Sequence, residues 1–199
     1  MQSAQDYRDV DLAPTPVKQL HRALNGRWHK QALMAFMVII VGHLMEHILQ
    51  AIQIFVLGWP RPQALGALGM FFPWLITSEW LHYIYAFLML VGLYLLRLPF
   101  DGRAGTWWNI ALVIQFWHHF EHALLLSQAI SRHNLFGSPV PMSVLQLFFP
   151  RVELHLFYNA VVLVPMLIAL YYHRRAPSES TGAPICNCTH PPRREMAMG

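Results

Sequence analysis

Long apolar runs, broken by polar residues at helical spacing, organise this chain. Four such runs stand out: 31–58, 74–98, 107–130 and 152–172. Each reaches the roughly 20 residues that carry a helix across a bilayer. Lipid offers a bare backbone no hydrogen bonds, so a helix is the predicted form of each. The expected fold class is all-α integral membrane, a four-transmembrane-helix bundle. The predicted organisation is a cytoplasmic N-terminal segment (1–30), a first helical hairpin (31–98), a cytoplasmic loop (99–106), a second hairpin (107–173) and a disordered cytoplasmic tail (174–199).

The polar positions inside the runs repeat. Residues 43–47 read HLMEH and residues 118–122 read HHFEH, both H-x-x-E-H. The second run is introduced by FFPWLITSEWLHYIY (71–85) and the fourth by FFPRVELHLFY (148–158). Each has FFP, then Glu, then His, then Tyr three residues after that His. This whole order occurs twice, which predicts a duplicated two-helix hairpin with pseudo-two-fold symmetry. At about 100° per residue, His43, Glu46, His47 and Gln50 share one helical stripe, and Gln115, His118, Glu121 and His122 share another. His82 falls on the face of Tyr85, and His155 on the face of Tyr158 and Asn159. With a rise of about 1.5 Å per residue, His47 and His122 lie about 12–16 Å below the outer helix ends. All four helices are therefore expected to aim imidazoles at one level of the bundle.

Composition sharpens the membrane reading. Hydrophobic residues make up 55% of the chain and charged residues 12%, and the mean hydropathy is +0.35. Lys18, Arg22, Arg27, Lys30, Arg97, Arg103, Arg174, Arg175, Arg193 and Arg194 fall on one side of the spans; only Arg61, Arg132 and Arg151 fall on the other. The positive-inside rule then places both termini in the cytoplasm. This bias accounts for the net charge of +4 without a nucleic-acid partner. Trp59 and Trp74 are expected at the outer interface, with Trp28, Trp107, Trp108, Tyr171 and Tyr172 at the inner one. The polar first 30 residues and the length of the first apolar run do not fit a signal peptide. Cys186 and Cys188, with His190, offer soft ligands in the Pro-rich tail but lack a fourth.

Eight ionisable groups at one depth need a reason, because each charge at mid-membrane costs about 2.5–3.5 kcal/mol on insertion scales. A buried hydrogen-bond network, with an ion or proton pathway as its functional form, is one. A metal pair explains more. His43, Glu46, His47, His82, His118, Glu121, His122 and His155 divide by symmetry into two sets of three His and one Glu, and two divalent cations would offset both carboxylates. Glu79 and Glu153 are further candidate ligands, although a Glu in the first turn of a helix is also favoured by the helix dipole. The ligand type resembles that of the histidine-box membrane desaturases and hydroxylases, whose box spacings differ from H-x-x-E-H.

Iron is the expected metal, with Mn, Zn or Cu as alternatives. The expected function is an oxidoreductase performing O2 chemistry on a hydrophobic small-molecule substrate within the lipid bilayer, supplied with electrons by a redox partner. Tyr85 and Tyr158 are its candidate catalytic residues, orienting ligands or passing an electron. Gln50 and Gln115 are candidates to hydrogen-bond the ligands. Two alternatives stand beside this one. Axial histidines suit haem b and electron transfer, and H-x-x-E-H is also the inverted zinc-peptidase motif of a zinc-dependent hydrolase. His119 is expected as a supporting donor or helix contact. His21, His29, His133 and His173 are expected to be ordinary interfacial residues.

Overall fold

A computed structural model describes residues 15–175. The tail residues Cys186, Cys188, His190, Arg193 and Arg194 lie outside the described residues. All regular structure among the described residues is helical. A short amphipathic helix, α1 (Pro16–Asn25), precedes α2 (His29–Phe55). Two small helices follow, α3 (Gly66–Phe71) and α4 (Trp74–Thr77), then α5 (Glu79–Leu95). The chain continues into α6 (Gly102–Ser131), and the described residues end with α7 (Arg151–Arg175).

The boundaries follow local chemistry. α2 stops short of Gly58, whose φ of +69° suits glycine, and Pro60 and Pro62 keep the following chain out of a long helix. The expected second run splits, because Ser78 leaves helical geometry to cap α5 and accepts a hydrogen bond from the Leu81 N–H at 3.4 Å. Asp101 caps α6 by accepting from the Gly102 N–H at 2.7 Å. Most of the expected 99–106 loop is therefore the first turn of a helix. Pro150 immediately precedes α7.

The four long helices pack side by side. α6 lies along both α5 and α7, and α2 lies along α7. One half of the interior is apolar: Ile40, Leu93, Trp108, Ala111, Met166 and Ala169 are all essentially inaccessible. A Cβ on Gly92 would strike the Phe36 ring, so this glycine makes room on α5 for the Phe36 side chain of α2. Trp108 is fully buried, donates to the Leu93 carbonyl at 2.8 Å and stacks on Phe100, so it does not mark an interface. His29 and His173 are buried as well, packed around Phe100 at ring distances of 5.7 and 4.8 Å.

The other half of the interior is polar, and the outer surface of the helices is not. Val113 is 69% exposed and Phe116 63%, on the same helix whose Glu121 is 2% exposed and whose His122 is 3%. Two helices, His29–Phe55 and Arg151–Arg175, are long and apolar enough to cross a membrane. Glu79–Leu95 is apolar but shorter. Gly102–Ser131 is long, with Gln115, His118, His119, Glu121, His122 and Gln128 interrupting its apolar character.

Candidate metal centre

Six imidazoles from four helices meet in the polar half. α2 contributes His43 and His47, α5 His82, α6 His118 and His122, and α7 His155. His155 is the hub, with ring centroids 4.9 Å from His47, 6.0 Å from His82, 5.7 Å from His118 and 5.3 Å from His122. His43 joins through His47, with the two Nε2 atoms 3.1 Å apart. Nitrogens at that spacing subtend roughly 100° at an ion bonded to both at about 2.05 Å. The ligand atoms of His118, His122 and His155 all lie within 4.8 Å of one another. These three can hold a metal ion.

The orientation of each ring has a local cause. His82 Nδ1 lies 2.8 Å from the Ser78 carbonyl and His155 Nδ1 lies 2.7 Å from the Arg151 carbonyl, each on the preceding turn. An N–H donated there fixes the tautomer and leaves the Nε2 lone pair for the interior, an arrangement usual for metal-binding histidines. His47 Nδ1 does the same with Gln50 Oε1 at 2.8 Å. The His155 Nε2, His118 Nδ1 and His122 Nδ1 atoms are buried with no hydrogen-bond partner among the described residues. An unpaired buried nitrogen is costly, and an ion would satisfy it. The residues fit a metal.

The tyrosines come to the same level from α5 and α7. Tyr85 stacks on His43 at 3.7 Å and Tyr158 on His118 at 4.0 Å. The Tyr85 hydroxyl is buried with no hydrogen-bond partner among the described residues, and both side chains line an inner void of about 10 Å³ beside Gln115 and Asn159. That is room for about one water molecule. Gln115 itself donates to the Ala86 carbonyl at 3.1 Å rather than to an imidazole. His119 packs against Tyr83 and Phe87.

The carboxylates are engaged elsewhere. Glu46 accepts from the Leu68 N–H at 3.1 and 3.2 Å, and Glu121 from the Leu145 N–H at 2.9 Å. Each ties its helix to the connection that follows. Glu79 is held by Arg151 at 2.6 and 2.8 Å, and Glu153 by Arg61 at 2.5 and 2.8 Å. Both ion pairs join one half of the chain to the other, and the Glu153 carboxylate raises the pKa of the Arg61 guanidinium.

Sequence reasoning overlooked Gln53 and Gln128. Gln53 bonds both the N–H and the C=O of Gly66, at 2.8 and 3.2 Å. Gln128 receives the N–H groups of Leu135 and Met142 and donates to the Met142 carbonyl. The signal was present: each Gln stands six residues after the last His of its motif, in HLMEHILQAIQ and HHFEHALLLSQ. The two ring pairs His43–His47 and His118–His122 also agree, both at 4.6 Å. Comparison with protein-family models, with curated proteins and with solved structures gives no match.

Proposed function

We propose that this chain is a membrane-embedded four-helix bundle built from a duplicated hairpin, that its histidines hold two metal ions, and that it acts as an oxidoreductase. The observation that carries the reading is the inverted distribution of polarity. Six imidazoles converge inside helices whose outward faces carry exposed Val, Phe, Ile and Leu. A water-soluble bundle has no use for that arrangement, whereas lipid favours it. The paired contacts of the two halves support duplication. Both termini are assigned to the cytoplasm of a cell or inner membrane by the Lys and Arg bias.

His118, His122 and His155 would hold one ion, and His43, His47 and His82 the symmetry-related one. A ligand set with two carboxylates suits iron. With Glu46 and Glu121 bonded to loop amides, an imidazole set suits copper as well as iron. Such ions, if bound and fed electrons by a redox partner, would supply the means to reduce dioxygen. The protein's own contributions are orientation of the rings, through Ser78, Arg151 and Gln50, and exclusion of bulk water by the apolar half below. Tyr85 and Tyr158 press on His43 and His118 and hold those rings in place. A lipid-soluble substrate is the reading that embedding alone suggests.

Haem b is less well supported. The imidazoles pack against one another at 4.6–6.0 Å, which leaves little width for a macrocycle between them. Elemental analysis of the purified protein, with an optical spectrum, is the test. About two redox-active metal ions per chain are expected. A Soret band with stoichiometric haem, or protein free of any metal that also fails to take up iron or copper, would overturn the proposal.

A further inference from the structure

One large cavity reaches the histidines, and it opens at the loop end. It measures about 760 Å³, and its lining includes His47, His82 and His155. That volume suits a small organic ligand. Three guanidinium groups also line it, those of Arg61, Arg132 and Arg151. The histidines are buried and Arg61 and Arg132 are exposed, so the cations stand nearer the mouth and the imidazoles at the floor. Between them the lining is partly apolar, with Leu65, Pro141 and Val152. The apolar groove between α5 and α6, lined by Leu90, Val113 and Phe116, touches none of the clustered histidines.

The charges at the mouth do not cancel. Arg151 is neutralised by Glu79 and Arg61 by Glu153. Arg132 has no acidic partner among the described residues. It sits at the left-handed C-cap of α6, with φ +57°. A guanidinium fork is suited to binding a carboxylate in bidentate fashion.

We infer that this cavity binds an aliphatic monocarboxylate, its head group on Arg132 and its hydrocarbon chain directed past Leu65, Pro141 and Val152 toward His47, His82 and His155. The ligand arrives from the polar end of the molecule. The inference deepens the metal-centre reading and rests on it for what the far end of the chain meets, but binding itself requires no metal.

Calorimetric titration of the full chain in nanodiscs, against empty nanodiscs, is the test. Hexanoate is the probe, and hexanol and acetate are its controls. Hexanoate is expected to bind at one site per chain, with each control about tenfold weaker or worse, since one lacks the charge and the other the chain. Arg132→Asn, which tolerates the left-handed backbone, is expected to weaken hexanoate about tenfold or more, and Arg132→Lys to recover part of the loss. Equal binding of hexanol, no binding of hexanoate, or an Arg132→Asn variant that binds hexanoate unchanged would overturn the inference. Metal content of the same samples separates the two ideas. Hexanoate binding without metal defeats the centre and not the cavity, and metal without hexanoate binding does the reverse.

Discussion

Replacing His155 with leucine should have opposite effects on the metal-free and metal-loaded protein. In the metal-free state the His155 Nε2 is buried with no hydrogen-bond partner among the described residues, a condition that costs about 1–3 kcal/mol. Its Nδ1 hydrogen bond to the Arg151 carbonyl returns about 0.5–1.5 kcal/mol. Leucine abolishes both terms and fills a similar space, so by the same figures the metal-free variant should fall between about 0.5 kcal/mol less and about 2.5 kcal/mol more stable than the parent. In the loaded state one of three nitrogen ligands is missing. Structural zinc sites with four ligands are worth about 10–16 kcal/mol, or roughly 3 kcal/mol per ligand. The expected loss of affinity is therefore about 100-fold. At metal held near 1,000 times the parent Kd, stabilisation falls from about 4.1 to about 1.4 kcal/mol. Thermal unfolding in detergent, with chelator and then with added metal, reads both numbers. A His155→Leu protein that melts well below the parent in chelator yet keeps its metal-induced shift would refute the reasoning. It would make His155 a structural residue.

Glu121→Gln should retain metal while loosening the 132–150 connection, because its carboxylate is committed to the Leu145 amide; elemental analysis with hydrogen exchange of that segment checks both, and metal loss would return Glu121 to the ligand set. Gly66→Ala should lower Tm, since Gly66 has φ +72° and a Cβ there runs into the Glu46 carboxylate, at a strain of about 1–2 kcal/mol before the clash. Gly42→Ala, with open space around it, should be neutral or stabilising by up to about 1 kcal/mol; equal melting of the two variants would contradict this. Glu79→Arg and Arg151→Glu should each destabilise by more than the roughly 1 kcal/mol typical of exposed pairs, because only 9% of the Glu79 side chain is accessible. Combining them should restore most of the loss in a double-mutant cycle.

The sequence carried the centre further than it carried the frame around it. The doubled H-x-x-E-H and H-x-x-Y spacings named all six converging imidazoles and both tyrosines, because helical periodicity turns spacing into direction. The same argument put Glu46 and Glu121 on the imidazole stripe. A carboxylate reaches several ångströms beyond its backbone, however, and periodicity does not show that the amides of Leu68 and Leu145 lie within reach. Long-range partners are the general gap. Arg61 and Glu153 are 92 residues apart and Arg151 and Glu79 are 72 apart, so neither pairing follows from local pattern. Trp108, His29 and His173 were misjudged for a related reason. Nearness to the end of an apolar run implied an interface, but Phe100 and the carbonyls of Leu93 and Leu96 fold back over these residues.

On α2, His47 faces inward while Glu46 and Gln53, on the same rod, hold Gly66 and Leu68 in the connection that covers the cavity. α6 repeats the arrangement with His122, Glu121 and Gln128. Any twist of either rod that brings its imidazole toward an incoming ion must also pull on the strap fastened above it. Loading the interior and closing the doorway would then be one motion, driven from below.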